Sequence, residues 1–335
     1  MHILIVSKNR IPVHKYGGTE RVIWDLGLLL HRLGHQVTYL VKPGSRCDFA
    51  QILTYDKHRD FLPQVLGAAQ QCRADIVHFQ SNPFASPQES LDWPLPYIMT
   101  AHGNAEPGTW FPRNTVFISR DHAARHQGET VVYNGLHWDS YGAVDLQAKR
   151  NRAHFLGNVY WPFKNLVGAI DVACKAKTPM DVMGGRRLQT KNGWRFTWQP
   201  QIRFHGMTGG AQKMKLLNQS CGMVFPVTWH EPFGLAIVES MYFGCPVFAT
   251  PYGAIPELVP SECGTLSASS AELAEALQQW RQYDPKACHA RARDNFNAHS
   301  MATSYVQIYS RVLDAGWLQA GFPASHAFEL ELPWA

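Results

Sequence analysis

Hydrophobic and polar positions along this chain switch repeatedly between short apolar runs and helical periodicity. His2–Ser7, Gln36–Val41, Asp75–Phe79, Tyr97–His102, Val116–Ser119 and Val131–Gly135 have the length and apolar content of buried strands. After the first, Val22/Ile23, Leu26, Leu29/Leu30 and Leu33 recur at helical spacing and stop at Gly34. The alternation resumes after a polar stretch, Trp138–Arg152. It gives strands at Ala153–Gly157, Met180–Met183 and Ile202–His205, and helices near 165–175, 211–219 and 270–281 and from Pro285. Tyr305, Ile308/Tyr309 and Val312/Leu313 predict a last amphipathic helix. Strands followed by helices in this order predict an α/β fold, with a domain boundary near residue 150.

One stretch stands out within that pattern. Gly222–Pro226 and Gly244–Thr250 read as buried strands, and between them runs His230-Glu-Pro-Phe-Gly-Leu-Ala-Ile-Val-Glu-Ser240. Leu235, Val238 and Met241/Tyr242 have helical spacing, Pro232 followed by Phe233-Gly234 fits a helix start, and Gly244 a helix end. Glu231 then falls in the strand-to-helix loop and Glu239 about two turns into the helix. First-turn amides form a positive donor cluster, and ionised carboxylates accept hydrogen bonds from a polyhydroxylated ligand. A capping role for Glu231 with a surface ion pair for Glu239 is the plain alternative.

Composition narrows the field. The chain has 335 residues, 45% apolar and 17% charged, with no apolar run long enough to span a bilayer and no secretory leader pattern at Met1–Ser7. Seven cysteines, widely spaced and without a Cys-x-x-Cys pair, suit reduced thiols in a cytoplasmic protein. His31/His35 and His122/His126 have helical metal-pair spacing but no third ligand nearby in sequence. The net charge of +5 is uneven, since residues 145–215 hold 13 Lys/Arg against 3 Asp. That excess suits a phosphate-bearing ligand or an anionic membrane surface, with peripheral contact at the inner membrane left open. No nucleic-acid-binding motif accompanies it, and no nucleic-acid partner is expected.

The string Glu231 to Met241, followed by Gly244-Cys-Pro-Val247, resembles the nucleotide-sugar motif of glycosyltransferase family 4, retaining enzymes of the GT-B fold. The resemblance implies two Rossmann-like, doubly wound domains facing a cleft. Residues 1–150 would form the acceptor-side domain and residues 151–299 the nucleotide-sugar domain, with 300–335 crossing back to the first. It also implies that Glu231 meets the donor sugar and Glu239 the ribose, with Phe233, Gly234 and Leu235 lining the donor. Gly17 and Gly18 take the place of the family's paired glycine near the donor phosphates, and His102 that of the histidine beside the anomeric carbon. Tyr133-Asn-Gly135 resembles the family's domain join. His78, also at a strand's carboxyl end, is a weaker candidate for the same cleft.

The family usually places an Arg just after the glycine equivalent to Gly157 and a Lys a few residues on. Here Lys164 is present, but the Arg position is Asn158. A neutral amide cannot offset a diphosphate, so a second cation is expected from the basic insert 186–201. Arg186 and Arg187 lead, with Arg195 and Arg203 in reserve. Catalysis is assigned to His102, Glu231 and Lys164. No cofactor is expected beyond the nucleoside diphosphate sugar, a UDP-sugar by default, and no metal, because no Asp-x-Asp string occurs. The acceptor would be a carbohydrate or glycolipid hydroxyl in surface polysaccharide or glycoconjugate synthesis. A phosphorylase, an epimerase or a non-catalytic sugar-nucleotide binder on the same fold are the competing readings. The tail from Trp317, with Phe322, Phe328 and Trp334, is expected to pack onto the first domain, a membrane contact being the alternative.

Overall fold

Branched and aromatic runs buried on both faces make parallel strands, and helices between them cover the faces. The computed structural model describes residues 1–13, 17–190, 194–326 and 332–335. These fall into two compact units. The first takes Met1–Val13, Gly17–His137 and the chain from Asn297; the second takes Trp138–Phe296 and the last residues, 332–335.

In the first unit, β1 (His2–Val6), β2 (Gln36–Val41), β3 (Gln51–Thr54), β4 (Ile76–Phe79), β5 (Tyr97–Ala101) and β6 (Thr115–Phe117) form a parallel sheet. Its order is β3-β2-β1-β4-β5-β6. Leu4, Val77, Phe79, Met99 and Phe117 centre the core on one face. The helix Ala298–Ala315 packs against the first helix, Gly18–Arg32.

The second unit repeats the plan. Its strands are β7 (Arg152–Leu156), β8 (Met180–Met183), β9 (Leu188–Gln189), β10 (Arg195–Phe196), β11 (Ile202–Phe204), β12 (Ser220–Phe225), β13 (Val247–Ala249) and β14 (Gly264–Leu266). The sheet order β11-β8-β7-β12-β13-β14 is the same permutation, again parallel, while β9 and β10 pair as a separate antiparallel ribbon. This strand order is that of doubly wound dinucleotide-type folds, in which ligands meet the carboxyl ends of the strands.

Several expectations shift. The first unit's opening segment ends at His137, not near 150. The reason is local: Trp138 stacks on Tyr242 at 4.0 Å and 6°, and Tyr141 packs beside it at 5.1 Å from Trp138. Val131 makes only an isolated bridge to Phe117 rather than a strand. The tail divides. Leu318 N donates to Asn114 Oδ1 (2.9 Å) and Ser325 N to Thr109 O (2.8 Å) in the first unit. Leu332 N donates to Thr228 O (2.9 Å) and Ala335 N to Ala268 O (3.0 Å) in the second. Phe328 lies outside the described residues. Among the described residues, no helix is long and apolar enough to cross a membrane.

Candidate active site

The loop after β7 is built on backbone contact. A Cβ on Gly184 would lie 1.7 Å from Gly157 O, and one on Gly185 would lie 1.9 Å from Val159 Cγ2. Only glycines at 184 and 185 let the Gly157–Trp161 loop rest there. Asn158 turns inward on the loop itself, its Oδ1 accepting Tyr160 N at 3.0 Å. The turn Pro162–Lys164 follows, and Asn165 caps the next helix by accepting Gly168 N at 2.9 Å. Asn165 Nδ2 also donates to Pro226 O (2.9 Å), and Thr228 N donates to Phe163 O (2.9 Å). These bonds pin Lys164 against the carboxyl end of β12.

Lys164 is buried, and its Nζ lies 2.5 Å from Glu231 Oε2. Trp229 Nε1 donates to the same oxygen at 2.9 Å, and the ammonium sits 4.8 Å from the Trp229 ring and 5.0 Å from the Phe225 ring. Glu231 thus makes an ion pair rather than a helix cap. Its main chain runs beside Gly253, where a Cβ would come within 2.4 Å of Glu231 N and O. The helix itself starts at Leu235, after Gly234 at φ 109°. Glu239 therefore lies one turn in, not two. Phe233 is buried against Phe296 (5.8 Å), so it packs the core.

Glu239 is also buried, and two groups reach one of its oxygens. Lys213 Nζ stands 2.6 Å from Oε1, and the Tyr141 hydroxyl donates to it at 2.5 Å. Beneath the same helix, His154 bridges Ser220 Oγ (2.6 Å) and Ser240 Oγ (2.8 Å). Full burial pushes its imidazole down to about 3. Lys213, Tyr141, Trp229 and His154 were absent from the sequence reading.

In the first unit, Gly17 precedes the helix Gly18–Arg32, so both glycines stand at a helix start beyond β1. His102 follows β5, and its Nε2–H donates to Gln80 Oε1 at 2.7 Å just beyond β4. Burial pushes this imidazole down to about 4, so it is neutral at pH 7 with Nδ1 as an acceptor. His78 does not reach a ligand surface. It is fully buried, bonded to the Tyr309 hydroxyl (2.8 Å) and Thr100 Oγ1 (2.8 Å), and Thr100 meets the Tyr305 hydroxyl at 2.7 Å. That network ties the helix Ala298–Ala315 to the sheet. Among the described residues, no cluster of three His, Cys, Asp or Glu side chains could hold a metal ion. His122 instead faces Gly103 O at 3.0 Å.

The candidate cations separate sharply. Arg187 donates through Nη1 to Thr197 O (2.5 Å) and Gln199 O (3.1 Å), and through Nη2 to Ile202 O. It also lies 5.6 Å from the Phe204 ring, so it is a structural clamp and not an open cation. Arg186 and Arg203 are exposed. Arg195 is different: its Nε and Nη2 are buried without a hydrogen-bond partner. Tyr160, in the loop that leads to Lys164, is its electrostatic neighbour, and burial lowers the guanidinium from its ordinary value.

Two six-stranded parallel sheets of one permutation, with paired carboxylates on a strand–turn–helix unit, define a glycosyltransferase of GT-B type. Residues 147–282 match the Glycosyl transferases group 1 family and residues 16–137 match Glycosyltransferase Family 4. Between them they take in most of the chain, which belongs to this glycosyltransferase family. Solved structures agree on the fold. AviGT4, a glycosyltransferase involved in avilamycin A biosynthesis, is 20% identical over 94% of this chain and 98% of its own, with TM-score 0.74. Sucrose-phosphate synthase from Thermosynechococcus elongatus is 17% identical over 94% and 99%, with TM-score 0.72. HepE of Anabaena, solved with UDP-glucose, is 18% identical over 92% and 99%, with TM-score 0.66. No curated protein matches the sequence significantly.

Proposed function

We propose that this protein is a retaining hexosyltransferase. It moves a sugar from a UDP-sugar to a carbohydrate or glycolipid hydroxyl, in the synthesis of a surface polysaccharide or glycoconjugate. The observation that carries the reading is the pair of buried carboxylates, Glu231 and Glu239, each held by a buried lysine. UDP is favoured as the base carrier because HepE was solved with UDP-glucose.

In this reading Glu239 accepts hydrogen bonds from the ribose hydroxyls, with Tyr141 and Lys213 aiming its carboxylate. Glu231 meets the transferred sugar. Lys164 and the helix-start amides near Leu235 face the charge that grows on the diphosphate as the anomeric C–O bond breaks. Arg195 supplies the second cation that Asn158 cannot, since its unpartnered guanidinium donors suit phosphate oxygens. Neutral His102 accepts a sugar hydroxyl near the anomeric carbon. The acceptor oxygen bonds to that carbon on the face the phosphate leaves, and its proton passes to the departing phosphate oxygen. Neither a metal nor another cofactor takes part.

Thermal shift with UDP, GDP, ADP and their sugars, followed by NMR of the product anomer, tests this directly. UDP and a UDP-sugar should raise the melting temperature most, transfer should keep the anomeric configuration, and chelator should leave activity standing. An inverted product, or no shift with any nucleotide, overturns the reading.

A further inference from the structure

The β9–β10 ribbon is amphipathic in the wrong sense for a water-facing element. Side chains of a strand alternate between faces, and a solvated ribbon normally turns its apolar face inward. Here Gln189 and Thr197 are buried, and the Arg195 Nε and Nη2 atoms are buried between them in sequence. The alternate positions are apolar and stand out in solvent: Leu188 is 47% exposed, Trp194 76% and Trp198 79%. Phe196 joins them, paired across the ribbon with Leu188 and packed edge-on to Trp198 at 4.5 Å.

This face is held, not frayed. Arg187 ties the ribbon's far strand to the chain entering β11 through its three carbonyl bonds, and Thr197 N donates to Arg187 O at 3.2 Å. A tryptophan side chain offers on the order of 200 Å² of surface, so two largely exposed ones make a patch of a size that soluble surfaces rarely leave without a purpose.

Charge selects the occupant. Arg186 precedes the ribbon and is exposed, and Arg203 follows it and is exposed. Tryptophan rings favour the headgroup layer of a bilayer, and nearby Arg and Lys are drawn to anionic headgroups. We propose that this aromatic ribbon docks the enzyme on an anionic lipid surface, with Trp194 and Trp198 entering the headgroup layer. The inference does not depend on which sugar nucleotide the enzyme uses.

The test is co-sedimentation of the full-length protein with phosphatidylcholine vesicles and with vesicles that also contain phosphatidylglycerol. The comparison is the double variant Trp194→Ser/Trp198→Ser, with its melting curve and its UDP-induced shift checked against the parent. The parent should bind the anionic vesicles, less at high salt, and the double variant should lose roughly ten-fold or more of that partition. Four results overturn the proposal. The parent could fail to bind anionic vesicles, or the folded variant could bind them equally. A soluble parent dimer that the substitutions dissociate would instead assign the face to self-association. Loss of activity toward a water-soluble acceptor, with vesicles absent, would assign the tryptophans to glycan binding and likewise overturn lipid docking.

Discussion

The two units share one strand permutation but hold their buried polar groups by different physics. In the first, neutral histidines meet hydroxyls and an amide: His78 with Tyr309 and Thr100, and His102 with Gln80. The second also has a neutral pair of contacts, His154 with Ser220 and Ser240, but at its two candidate carboxylates charge meets charge: Lys164 with Glu231 and Lys213 with Glu239. A neutral network satisfies itself and rigidifies the core. A buried ion pair offsets its own desolvation only when geometry and extra hydrogen bonds are good, and it leaves strong fields at the surface of the pocket. The shared topology sets where ligands meet the strands. The difference is the reason we propose the second unit as the one that takes the charged ligand.

The largest expected effect comes from breaking a pair. Lys164→Ala strands Glu231 in a buried position and should cost about 3–5 kcal/mol of stability. The variant should also lose most turnover, because the cation proposed to face the leaving phosphate is gone. Denaturant unfolding together with single-turnover kinetics checks both. A variant with parental stability and turnover would show that the pair is dispensable. Lys164→Met paired with Glu231→Leu should regain stability without regaining activity, which separates the two roles.

The neutral histidines make an opposite prediction in pH. Their folded-state values lie below the ordinary value of 6.5: His102 and His126 at about 4, with His78 and His122 pushed well down by burial. Between those values and 6.5 the unfolded chain binds protons that the folded chain does not. Stability is therefore full above pH 6.5 and falls as the pH drops toward 4. The slope should be about 1.4 kcal/mol per pH unit for each imidazole that titrates only when unfolded. Urea midpoints across that window test this, and His102→Asn should flatten the slope by one proton's worth. A flat profile in the parent contradicts the burial of these rings.

How much of this could be read from sequence depends on the range of the interactions. The strand–turn–helix around Glu231 and Glu239 is local, and Pro232, Gly234 and Gly244 mark it plainly. Its start was misplaced by a turn because the glycine at 234 adopts φ 109° and postpones the helix to Leu235. Lys213 and Tyr141 reach Glu239 from 26 and 98 positions away, and nothing near them in sequence signals the contact. His78 looked available at a strand end, yet Tyr309, 231 positions on, closes over it. The choice among arginines turned on the β9–β10 register, which fixes what Arg195 and Arg187 face. Trp194, Phe196 and Trp198 alternate with Arg195 and Thr197 at strand spacing, a run too short to fix which strand it pairs with.

Smaller effects sharpen the account of Glu239. Tyr141→Phe removes one donor from a buried carboxylate. A hydrogen bond to a charged group contributes about 1.5–3 kcal/mol, so donor KM should rise roughly ten-fold or more while kcat holds. Arg195→Ala should weaken UDP binding more than Arg186→Ala or Arg187→Ala does, once each variant is shown to fold. Equal affinities across the three would remove Arg195 from the phosphate site.

The most direct measurement compares UDP with 2′-deoxy-UDP by titration calorimetry in the parent and in Glu239→Ala. If Glu239 reads the ribose, the parent should prefer UDP by roughly ten-fold or more, and the variant should bind both nucleotides alike. A variant that keeps the parent's preference for UDP would contradict the assignment of the second unit's carboxylate to the nucleotide.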